Sequence, residues 1–104
     1  MFRRLLAVAL LAACSRQTPD EQLKKNFEPV KSWAATIQLT GERWHRNSVP
    51  AAFVRATIAA AEKEYESAAQ SIDQSSAGKD LRDQLKRELD ADRTAAQRLK
   101  GELP

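Results

Sequence analysis

Apolar residues recur along most of this chain at helical spacing. From Leu23 they continue at Phe27, Val30, Ala34, Ile37, Gly41 and Trp44, alternately four and three residues apart. That alternation keeps one stripe of a helix facing one way, so the segment from Pro19 to Trp44 reads as a long amphipathic helix. With about 100° per residue, Trp33 falls within about 20° of Trp44, and both tryptophans border the stripe. Leu39 falls on the opposite side. Val54, Ile58, Ala61, Tyr65, Ala68 and Ile72 repeat the same spacing in a second segment, and Leu81, Leu85, Leu89, Ala96, Leu99 and Leu103 carry a third. No strand-like alternation competes with this reading.

The punctuation agrees with the periodicity. Thr18 can cap the first helix, Pro19 suits its first position, and Glu21 stands where a capping box needs an acid. Pro29 removes a backbone donor inside the pattern and is expected to kink or split this helix near Glu28. Arg46-Asn47-Ser48-Val49-Pro50 makes the first break, and Asp73-Gln74-Ser75-Ser76-Ala77-Gly78 reads as a flexible second one. Asp83 with Arg87, and Lys86 with Asp90, are spaced for ion pairs along helix three, each worth a few tenths of a kcal/mol. The expected fold is all-α: an antiparallel up-down-up three-helix bundle over residues 19–104. A longer helical hairpin that buries its third face against another copy fits the same periodicity.

Composition narrows the function classes. The chain has 104 residues and a formal charge of +3, but two of its basic residues, Arg3 and Arg4, lie in the first 13. Without that segment, 15 basic side chains face 14 acidic ones, a net of +1. Nucleic-acid binding therefore has no electrostatic argument, and nucleic acid is not an expected partner. With one cysteine, Cys14, and one histidine, His45, neither an internal disulfide nor a thiolate or imidazole cluster for a metal is expected. No cofactor motif is present either.

The N-terminus carries the most specific signal. Arg3 and Arg4 precede nine small or apolar residues, Leu5 to Ala13, too few for the roughly 20 that span a bilayer as a helix. A short apolar run behind cations is what an export signal needs. The arginine pair alone hints at twin-arginine export, but its neighbours do not extend that motif. Leu11-Ala12-Ala13-Cys14 then resembles the lipobox of bacterial lipoproteins. The resemblance covers residues 1–14. It implies that residues 1–13 are a cleaved signal peptide and that Cys14 carries a diacylglycerol and an N-acyl chain. It also implies a short tether over residues 14–18. Ser15, rather than an aspartate, follows the cysteine, which resembles outer-membrane sorting in Gram-negative envelopes. An ordinary signal peptide cut nearby, for instance after Ala7-Val8-Ala9, is the alternative.

Few residues of the helical domain stand out chemically. Asp92 falls within the apolar stripe of helix three, where a carboxylate is costly unless it is paired or the stripe opens to water. The wet arrangement is the favoured one. A structural pin to the Trp33 indole or the Tyr65 hydroxyl, or a ligand contact, are the others. Trp33 and Trp44 read as core packing before partner anchors. His45 suits the C-terminal end of its helix as a surface or capping residue. Lys24, Lys25 and Lys31 lie near the anchored end among Asp20, Glu21 and Glu28, as on a solvated mixed face. No nucleophile is set beside a base and an orienting acid, so no enzyme is expected.

The expected role is a membrane-anchored envelope lipoprotein, attached to lipid through acylated Cys14 on the periplasmic face of the outer membrane. It would serve as a small helical interaction or scaffold module, accessory to a membrane-proximal assembly. Its partner would be an envelope protein that the residues do not identify, and self-association stays open. A helical module that binds a small ligand or lipid is the alternative.

Overall fold

A computed structural model of the chain describes residues 17–104, and Cys14 and the segment read as a signal peptide lie outside them. The described residues form three helices: α1 (Pro19–His45), α2 (Ala51–Gln74) and α3 (Lys79–Gly101). They pack as an all-α three-helix bundle around one core.

Each helix starts where its sequence lets it. Thr18 caps α1, its Oγ1 accepting from the Glu21 N–H at 3.1 Å, with Pro19 next in line. Asp20 and Glu21 then lie in the first turn and Arg43 and His45 in the last, as the helix dipole favours. The α1 terminus closes as a Schellman turn. Asn47 takes a left-handed φ of 58°, its N–H donating to the Trp44 carbonyl while that of Ser48 reaches Arg43. α2 lacks these aids: Pro50 stands before it without a side-chain cap, and its terminal turns carry no complementary charge. Burial compensates, because Val54, Ile58, Ala61, Tyr65, Ala68 and Ile72 are all buried. Each large apolar side chain so buried contributes about 1.5–3 kcal/mol.

Contacts at both ends fix the helix directions. Asp20 Oδ1 accepts from the Gly78 N–H at 2.9 Å, joining the first turn of α1 to the residue before α3. At the far end, His45 Nε2 lies 3.0 Å from Glu102 Oε2, and Arg55 donates to the Pro104 carbonyl. α1 and α3 thus run in the same direction and α2 runs against them. α2 packs extensively on both neighbours, whereas α1 and α3 meet least.

Three local expectations need narrowing or correction. Of the kink or split expected at Pro29, the split does not occur, since α1 is helical from Pro19 to His45. The proline is exposed and so is Lys25, whose carbonyl loses its helical donor, so water can take that bond while Phe27 and Val30 stay buried. The second break is shorter than its composition suggests. Asp73 and Gln74 belong to α2, and Ala77 is buried with its N–H donating to Ser75 Oγ at 3.0 Å. Finally, the ion pairs of α3 differ: Asp83 pairs with Lys79, and Lys86 reaches Asp73 at the end of α2. A long exposed lysine is free to take either partner, so spacing alone does not select one.

Candidate functional site

The seam between α1 and α3 changes character along its length. Near the start of both helices Phe27, Leu81 and Leu85 narrow it to a smaller depression of about 290 Å³. Farther along, the facing residues become small: Ala34 and Gly41 on α1, Ala95 on α3. There an open groove of about 720 Å³ runs between the two helices, lined by Ile37 and Leu99 as well. Polar side chains border it, with Asp92 and Arg98 on α3, Gln38, Glu42 and His45 on α1, and Glu102 just past α3. Gly41 helps to make the space. A Cβ built there would lie 3.7 and 3.8 Å from the two terminal methyls of Leu99, an ordinary contact, so glycine is not sterically required.

Asp92 is half-buried and lines this groove. Partial desolvation raises its pKa above the ordinary 3.8, and the nearby Glu88 charge adds to the shift. Behind it Tyr65 is fully buried, and its hydroxyl has no hydrogen-bond partner among the described residues. Burial pushes that hydroxyl up to about 12, with the Asp92 charge as the second cause. The fold therefore brings Tyr65 and Asp92 within electrostatic reach of each other without a hydrogen bond that pins them. Asp92 faces a groove that is itself open to solvent.

Trp33 and Trp44 are half-buried and packed against the core. They are not among the residues lining the groove. His45 is exposed and contacts both carboxylate oxygens of Glu102, at 3.1 and 3.0 Å. Thr40 is the buried polar residue of α1, satisfied within its own helix by donating to the Thr36 carbonyl at 2.7 Å. Among the described residues, no three His, Cys, Asp or Glu side chains converge to hold a metal ion. None of the described helices is long and apolar enough to cross a membrane.

Comparison brings no relative to bear on the site: no protein-family model, curated protein or solved structure matches the chain. The groove itself was not read from the sequence. Its signal is the coincidence of Ala34 and Gly41 with Ala95 at matching heights. That becomes visible only once α1 and α3 are known to run side by side in the same direction.

Proposed function

We propose that this chain is a lipid-anchored envelope protein whose three-helix domain is an interaction module held close to its membrane. The observation that carries the reading is Leu11-Ala12-Ala13-Cys14 directly behind Arg3-Arg4 and a short apolar run. In this reading Cys14 becomes the acylated first residue, and membrane lipid is the protein's first partner. Two or three acyl chains on one cysteine hold durably, since each buried methylene contributes about 0.8 kcal/mol. Ser15 after the cysteine favours the outer membrane, with the domain facing the periplasm.

The start of α1 at Pro19 supports a confined role. Four residues separate it from Cys14, a tether of at most about 14 Å. With 27 residues, α1 adds about 40 Å. The whole module would then stay within about 50 Å of its leaflet, so its protein partner is an assembly at that membrane or just beneath it. The second reading, a module that takes a small ligand or lipid, is favoured by the apolar floor of the α1–α3 groove. The groove lies open along its side, whereas small-molecule sites enclose most of their ligand.

Fractionation of cells producing the native chain or Cys14→Ser, with crosslinking before lysis, tests the proposal. The native protein is expected in the membrane fraction with one dominant crosslinked protein, and the variant is expected to lose both. A Cys14→Ser protein that stays with the membrane contradicts the anchor. A membrane-bound native protein without crosslinks contradicts the interaction role.

A further inference from the structure

We infer that the α1–α3 groove receives an amphipathic helix of the partner protein, one that lays small or medium apolar side chains along Ala34, Gly41, Ala95 and Leu99 and sets a lysine or arginine against Asp92. The inference rests on the anchored interaction module proposed above and names the chemistry of its partner.

Shape comes first. From Ala34 to His45 the α1 wall rises about 17 Å, or three helical turns, enough to seat a short helix. The groove lies along the least extensive of the three helix–helix seams, at a stretch where small residues let another backbone approach. A fourth helix laid there would complete a four-helix arrangement and cover the half-buried Ala34 and Gly41 and the exposed Ala95, with the buried Ile37 and Leu99 beneath them.

Charge selects the occupant. Glu102 already faces His45, which leaves Asp92 and Glu42 on the border with Arg98 as the counter-charge. Asp92 makes no ion pair among the described residues, stands half-buried beside an apolar floor, and has Glu88 as a like-charged neighbour. A cation on an incoming helix would relieve that arrangement. A second copy of this chain would not. Copies anchored through four-residue tethers in one leaflet stand parallel, and a two-fold axis along the bundle then faces Asp92 with Asp92, Glu42 with Glu42 and Arg98 with Arg98. Like charges opposed in this way disfavour the pairing. The groove also begins 15 residues into α1, roughly 22 Å beyond its start. The partner helix is therefore an extramembrane segment rather than a membrane-embedded one.

The test uses the full chain as cells produce it, reconstituted in phosphatidylcholine nanodiscs, with empty discs as the blank. The probes are helical peptides sharing one leucine and alanine stripe and carrying Lys, Gln or Glu at the flanking positions. The Lys peptide is expected to bind saturably and at least tenfold more tightly than the Glu peptide. Asp92→Lys should reverse that order, and Asp92→Asn should level it. Gly41→Leu, which fills the floor, should abolish binding of all three while leaving the helical circular dichroism of the chain intact. Binding that ignores the sign at position 92, survives Gly41→Leu, or does not occur overturns the inference. So does saturable uptake of free oleate that Gly41→Leu blocks while none of the peptides bind. If the chain needs no discs to stay with membrane-free protein, the anchor reading fails separately, and the same peptides read the groove in solution.

Discussion

Tyr65 and Asp92 are side chains whose energetics run against the apolar core beside them. The Tyr65 ring fills the middle of α2's buried face, but its hydroxyl has no protein partner there. Removing an unpaired buried hydroxyl relieves a desolvation cost, so Tyr65→Phe should match the native stability or exceed it by up to about 1 kcal/mol in urea denaturation. A loss above about 1.5 kcal/mol would instead mean that the hydroxyl is bonded in the fold. The pH dependence has a definite sign. The folded pKa lies above the ordinary 10.0, so this group's contribution is complete below pH 10 and is lost as pH rises towards about 12. Tyr65→Phe should flatten that alkaline loss. Asp92 has the same sign in acid. Its raised pKa means that the fold favours the protonated form, with stability fully present below 3.8 and lost as pH rises through the folded value. Asp92→Asn should therefore be more stable than the native chain at pH 7. The two should converge below pH 3.8. A variant less stable at pH 7 would show that the native carboxylate is bonded.

At the scale of the element, hydrophobic spacing specified most of the outcome. The α2 stripe read from Val54 to Ile72 coincides with its buried residues, because a helix flanked by two others buries a broad face and leaves little room for exceptions. Pro29 was less legible. Its effect depends on whether the freed carbonyl meets water, and that follows from its exposure rather than from its neighbours in sequence. The Lys86 pairing was hidden for a related reason, since Asp73 belongs to another helix. The groove was least legible of all. Gly41 reads as one more member of the α1 stripe until Ala95 is found opposite, and Asp92 reads as an exposed anomaly until the groove is seen beneath it. Gly41 also carries a prediction. Its backbone is helical and a Cβ there fits against Leu99, so Gly41→Ala should stabilise the domain by about 0.5–1 kcal/mol in thermal or urea unfolding. Destabilisation would mean that α1 and α3 approach more closely at this point than the 3.7 Å contact indicates.

At the scale of the whole molecule, three short-looped helices make a post with different ends. One end, where Asp20 holds Gly78, points toward the proposed anchor. The other, where His45 meets Glu102, carries the groove. Large residues close the α1–α3 seam near the start of α1 and small ones open it farther along. With the proposed anchor at Cys14, a partner would be met beyond the lipid headgroups. Asp92 fits this division, since a half-buried carboxylate with no ion pair among the described residues gains most where a partner's cation neutralises it.

The anchor is the central claim, and the N-terminal peptide of the protein purified from its own membranes tests it most directly by mass spectrometry. The account predicts a chain that begins at Cys14, with residues 1–13 gone and the cysteine bearing a diacylglyceryl group and an N-acyl chain. A chain that retains residues 1–13, or one cut elsewhere with an unmodified Cys14, would contradict it.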